Sequence, residues 1–323
     1  MKQAAFEQRH EAELAEFETC IASSKSKQKA GATAVARQDL PRLYRVLCQH
    51  LALARDRHYS ANLVDRLNRL AMTGHHALYG AQAPAGNWIR QFLWRDFPRA
   101  VRREIHLVTL AGLLFFGPML VVFGVQQRHS DFIYTLMPAS QVAQFEEMYS
   151  PAEETRKSRD ADSDVLMFGF YIKNNIGIGF QTFAGGILFA VGSVFFLVFN
   201  GLIMGAIAGH LSVIGYGEKF WGFVAGHSSF ELIAIVLAGA TGLRLGAALI
   251  APGRISRLAA LRRAGQACAS IIYGMVLLFV VAAFIEAFWS PHLLAFRELK
   301  IGAGVAAWIA LPLYFAIGGR GES

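Results

Sequence analysis

Apolar residues along this chain change their spacing near residue 104. Before that point they recur at helical intervals. Leu40, Leu43, Tyr44, Leu47 and Leu51 follow the i, i+3, i+4, i+7 rule, as do Leu63, Leu67 and Leu70 with Val64 beside them. Pro41 suits a first helical turn, and the Lys/Ser-rich residues 23–31 break this pair of helices from an earlier one. Beyond residue 104 the apolar residues run together in blocks long enough to cross a bilayer, which takes about 20 of them. The pattern predicts an all-α protein: a helical domain over 1–103, then a polytopic membrane helix bundle over 104–320.

Residues 165–211 form one apolar block of 47 residues, too long for a single crossing at about 1.5 Å per residue. Dividing it at Gly185-Gly186 yields spans near 165–184 and 187–210. The others fall near 105–125, 224–249, 266–289 and 302–318, so about six spans are expected. Lys173, Asn174 and Asn175 lie in the middle of the second span. A re-entrant or broken helix lining a polar cavity is therefore the alternative there, leaving five spans.

Charge orients this bundle. Residues 1–103 hold 17 Lys/Arg against 9 Asp/Glu, whereas residues 126–164 hold 4 against 8. Basic residues beside a span mark the cytosolic side, so 1–103 is expected to be cytosolic and 126–164 extracytoplasmic, with a short helix over Ala139–Tyr149. Six spans place Arg254, Arg257, Arg262, Arg263 and Arg320 inside and both termini in the cytosol. A multi-pass membrane location follows from this reading. Residues 88–103 mix aromatic and arginine residues, the signature of an interfacial helix that meets membrane lipids. Acids interspersed among the bases speak against nucleic acid as a partner. The first 25 residues contain no apolar run, so no cleavable signal peptide is expected. Cys20, Cys48 and Cys268 show no disulfide or zinc spacing.

The residues 226–253 carry candidate chemistry inside a span: His227, Glu231 and Arg244. His227 and Glu231 share a helix face at i, i+4. An ionised group at mid-membrane costs about 2.5–3.5 kcal/mol on insertion scales, so such residues bind or pair with something. Topology brings His210, His227, Glu231 and Glu286 to similar depth near the outer surface. Three readings are open: an interhelical polar contact that fixes span packing; a proton or ion path, with Lys173, Asn174, Asn175 and Asn200 along it; or a divalent metal or hydrolase site with those His and Glu residues as ligands. HSSFE is not a metalloprotease motif. Arg244 lies toward the inner side, about 20 Å from Glu231 along a straight helix, and should pair with another helix, a backbone carbonyl or a lipid phosphate. Gly201, Gly205 and Gly209, and Gly239, Gly242 and Gly246, form small-residue faces suited to close helix packing, within a bundle or in a homodimer. No nucleotide-binding motif is present.

Several stretches, in order, resemble the stage II sporulation protein M family of bacterial integral membrane proteins. They are DLPRLYRVLCQHLALAR, LNRLAMTGHHALYG, FLWRDFPRAVRRE, KNNIGIGF, FNGLIMGAIAG, the His227-x-x-x-Glu231-Leu232 element, AGATGLRLG and FIEAF around Glu286. Where the family commonly has Pro-His-Gly, this chain has Gly226-His227-Ser228, which bears on whether a Pro-initiated half-helix starts there. The founding members of that family act in engulfment, where they tether peptidoglycan-degrading enzymes at the membrane. For relatives outside spore formers the resemblance implies envelope systems with MoxR-type ATPases and von Willebrand A-domain proteins. The expected function is a non-enzymatic scaffold of an envelope complex, with a transporter or channel and an intramembrane metal-dependent hydrolase as the alternatives.

Overall fold

The computed structural model describes residues 3–27, 35–79, 88–150, 161–291 and 297–320, and all of the described regular structure is helical. The chain divides into two compact units, Met1–Ala85 and Gly86–Ser323.

The first unit holds α1 (Gln3–Lys27), α2 (Val35–Asp56) and α3 (Ala61–Tyr79). Its core consists of the periodic residues Leu40, Leu43, Leu47, Leu63 and Leu67 together with Phe6, Leu14 and Phe17 of α1. α2 starts six residues before Pro41, so the proline sits inside the helix rather than in its first turn. α1 continues to Lys27 through the first half of the expected break, and the rest of that break lies outside the described residues.

The second unit begins with α4 (Trp88–Gln91), a π turn over Phe92–Asp96 and α5 (Phe97–Arg103). Grouped with the N-terminal region on the sequence, these residues belong structurally to the second unit. Phe97 lies edge-on to Phe315, ring centroids 5.3 Å apart, and Arg99 Nε donates to Gly319 O at 2.8 Å. Arg102 donates to Phe315 O as well. Two arginines thus satisfy carbonyls at the end of the last helix, where no intrahelical donors remain.

α6 (Ile105–Gln126) is followed by a short cap of α7 (Ile133–Leu136) and α8 (Ala139–Tyr149). Part of the acidic segment, 151–160, lies outside the described residues. Then come α9 (Ala161–Ala184), α10 (Val191–Val213), α11 (Gly217–Ile250), α12 (Arg257–Phe284), extended by a π turn over Ile285–Trp289, and α13 (Arg297–Ile317). Five of these helices (α6, α10, α11, α12 and α13) are long and apolar enough to cross a membrane.

α9 falls short of them in apolarity because of Lys173-Asn174-Asn175, but it is one unbroken helix of 24 residues. It runs alongside its neighbours for most of its length. Phe168 packs on Phe288 with centroids 5.5 Å apart, and Gly179 lies against the Phe279 ring. The chain reverses at Gly185-Gly186, as the two glycines predict. Phe189 and Ala190 take left-handed backbone angles to complete the turn, and Gly185 packs directly on the backbone of Gly192 and Ser193.

α11 is the axis of the bundle. It packs against α6, α9, α10, α12 and α13, and 67% of its apolar window is buried against 11–44% for the other four. The two small-residue faces are used inside this chain. Gly201, Gly205 and Gly209 of α10 meet Phe115, Met119 and Gln126 of α6, while Gly239, Gly242 and Gly246 of α11 meet Leu197, Ser193 and Ala190 of α10 and its turn. Close backbone approach lets dispersion contacts accumulate where no hydrophobic effect separates helix from lipid. The matched order of contacts makes α6 and α10 parallel and α11 antiparallel to both.

Candidate functional site

Where the N-terminal half of α11 meets the end of α12, the sequence builds a polar pocket into an apolar bundle. α11 starts at Gly217, seven residues before the expected span, so His227 lies in its third turn. No half-helix begins at Gly226. That glycine instead makes room for α12, because a Cβ there would lie 2.7 Å from Trp289 Cε3 and 3.2 Å from Ile285 Cγ2.

On the facing helix the π turn changes which residues point inward. Ser290 N–H donates to Ile285 O, five residues back, at 2.8 Å. The extra residue in this turn rotates the residues beyond it by most of a helical step, as π bulges do at functional sites. Ser290 thereby faces His227, and Glu286 within the turn lies in the same cluster. His227 Nδ1 lies 3.3 Å from Ser290 Oγ, and its Nε2 lies 3.9 Å from Glu231 Oε2. The nearest ligand atoms of His227, Glu231 and Glu286 all fall within 4.8 Å of one another. His227 is 3% exposed.

Two further contacts tie this pocket to α13. Lys300 Nζ, on a residue 2% exposed, donates to Ser290 O at 2.6 Å. Trp308 Nε1 donates to Ser228 Oγ at 3.2 Å, which gives that serine a partner across helices. Nitrogen and carboxylate donors converging in this way can hydrogen-bond three helices together, hold a proton, or ligate a divalent ion.

His210 was expected in this group and lies outside it. Its Nε2 is 2.7 Å from Glu146 Oε1 of α8, with the histidine side chain 5% and the glutamate 36% exposed. The same cap is held at two more points. Lys219 Nζ donates to Ser150 O at 2.8 Å, and Tyr149 is buried between Phe220 and Phe223, ring centroids 5.3 and 6.0 Å away. Burial first, and then the neighbouring Glu286 carboxylate, Tyr171 and Glu231, hold the Tyr149 phenol above its ordinary range.

The residues expected to line a path are dispersed. Asn200 Nδ2 bonds back to Phe196 O in its own helix at 2.7 Å. Lys173 and Asn174 lie on the exposed side of α9, while Asn175 is buried and accepts from Asn174 Nδ2 at 3.1 Å. Arg244 pairs with Glu104, Nε to Oε1 3.3 Å, at the start of α6. Its partner is therefore another helix, one of the alternatives expected for it.

Sequence reasoning missed Glu146, Ser290, Lys300 and Glu104. Glu104, directly before a span, and Lys300, just inside the last one, were legible as charges at membrane-helix ends. Ser290 was hidden by the π turn, and nothing in the order of residues ties Glu146 to His210.

Long apolar helices packed through glycine faces define a multi-pass helical membrane protein. Residues 107–291, more than half of the chain, match the model of the stage II sporulation protein M family, and the chain belongs to that family. Residues 4–80 match a separate domain of unknown function (DUF8413). The two N-terminal stretches that look like the family thus fall in a different match. No curated protein and no solved structure matches the chain.

Proposed function

We propose that this protein is a non-enzymatic organiser of an envelope complex in the bacterial cytoplasmic membrane. Its N-terminal unit and the end of α13 face the cytosol, and the α7–α8 cap faces outward. The observation that carries the reading is the fixation of that cap. A buried histidine, a lysine and a buried tyrosine hold a short amphipathic segment against the bundle, and an organiser needs such a rigid platform for other proteins. The exposure of Lys173 and the bond of Asn200 within its own helix support the same reading, since a conducting path needs its polar groups in line.

Family membership directs the choice of partners. Peptidoglycan-degrading enzymes would meet the cap, and MoxR-type ATPases or von Willebrand A-domain proteins would meet the cytosolic unit. Purification after crosslinking in mild detergent should recover discrete partners in fixed ratio. Recovery of a lone, inert chain would sink the proposal.

One observation favours a second reading, an ion-binding transporter: the convergence of His227, Glu231 and Glu286. Under it, Glu231→Gln abolishes an ion flux in proteoliposomes while the protein stays folded. A divalent metal bound at this cluster would instead direct attention to hydrolysis.

A further inference from the structure

The first unit holds a second cluster of metal-ligating side chains, apart from the membrane segment. His10 and Glu13 lie one turn apart on the same face of α1, and His50 reaches them from α2. His10 Nδ1 is 3.0 Å from Glu13 Oε2, and His50 Nε2 is 3.4 Å from the same oxygen. The three residues offer ligand atoms that all lie within 4.8 Å of one another. We propose that His10, Glu13 and His50 form a binding site for a divalent transition metal of the zinc class, with an N2O donor set and a fourth position open to water.

Hydrogen bonding accounts for the His10–Glu13 contact at 3.0 Å but not for the approach of His50. An N–H···O bond spans about 2.7–3.2 Å, so the His50–Glu13 separation of 3.4 Å is too long. The other nitrogen of His50, Nδ1, is buried and has no partner among the described residues. His50 is 8% exposed, so neither imidazole nitrogen makes a normal hydrogen bond although the ring is almost wholly out of water. Buried polar groups in that condition call for an ion or water.

A metal bound at His50 Nε2 gives that nitrogen the partner it lacks. Zinc–nitrogen and zinc–oxygen distances of about 2.0–2.2 Å in a tetrahedron place neighbouring ligand atoms about 3.4 Å apart. The two measured separations lie at or just inside that edge. A shared cation also explains how the two imidazole rings sit with centroids only 4.1 Å apart, which would be unfavourable for two imidazoliums.

The surroundings suit the ion. Phe6 packs on both imidazoles, centroids 4.8 and 5.6 Å away, and screens one side from water. A cavity of about 110 Å³ is bordered by Glu13, Glu16, Arg42 and His50. It leaves room for water beside two of the three ligands. Bound there, the metal ties α1 to α2 and stabilises the N-terminal unit.

The test uses the full chain in detergent, carrying His227→Ala and Glu231→Ala so that the membrane cluster contributes nothing. The protein is stripped with a chelator, re-equilibrated with zinc and passed through gel filtration before elemental analysis. About one zinc per chain is expected, with loss of that zinc when either Glu13→Gln or His10→Ala is added. Glu13→Gln is nearly isosteric, and circular dichroism reports whether each variant keeps its helices. Zinc should also raise the melting temperature of the background protein and leave the Glu13→Gln variant unmoved. Failure of the background protein to retain zinc overturns the proposal, as does zinc retained by either folded variant.

Discussion

Separating His210 from Glu146 should loosen the α7–α8 cap. The two atoms are 2.7 Å apart, on a histidine whose side chain is 5% exposed and a glutamate whose side chain is 36% exposed. A hydrogen bond to a charged group contributes about 1.5–3 kcal/mol, and solvent on the glutamate side reduces this. We therefore expect a coupling of about 1–2 kcal/mol in a double-mutant cycle of His210→Ala and Glu146→Ala. In a domain of 150–250 residues each kcal/mol moves the melting temperature by about 2–4 °C, so His210→Ala should lower it by roughly 2–8 °C. Glu146→Gln keeps an acceptor and loses the charge, so it should fall between wild type and Glu146→Ala. Limited proteolysis adds a local readout, because residues 130–149 should be cut faster in His210→Ala while the apolar helices survive. The melting temperatures of the four proteins in detergent decide the matter. If the single effects add to within about 0.5 kcal/mol, the two residues do not act together and the fixed platform loses its main support.

Glycine packing yields a second test. A Cβ on Gly205 would lie 3.0 Å from Met119 C and Cα, whereas one on Gly124 meets nothing within 4 Å. Gly205→Ala should thus cost about 1–3 kcal/mol of stability, while Gly124→Ala should be neutral or slightly stabilising; equal thermal melts for the two would contradict the packing described. A third test concerns the polar pocket. His227→Ala and Glu231→Ala should each lower thermal stability, with a coupling above about 0.5 kcal/mol as expected of residues in contact, and strict additivity would show that they do not act as a unit.

What could be read from the sequence depended on how far apart the partners lie along the chain. The leucines of α2 and α3 and the alternation of apolar blocks with charge clusters are local signals, and they correctly predicted helices and the reversal at Gly185-Gly186. His227 and Glu231 share a face for the same reason, since four residues make about one helical turn. Lys173-Asn174-Asn175 shows where such reasoning stops. Three polar residues inside a span suggested a break, yet at about 100° per residue a continuous helix turns Asn175 inward while Lys173 and Asn174 stay on the exposed side. Composition alone does not separate these outcomes, because the choice depends on which neighbours cover which face.

The site residues that escaped sequence reasoning lie on the far side of tertiary contacts. Glu146 meets His210 across 64 positions, and Lys300 meets Ser290 across 10. Ser290 is turned toward His227 by a single extra residue in a π turn that hydrophobic periodicity does not register. Regular spacing built the helices, and local departures from it placed the polar groups. The cluster between α11 and α12 therefore depends on the irregularity at Ile285–Trp289, and a sequence change that restored an ordinary α turn there would move Ser290 off His227 while leaving every span intact.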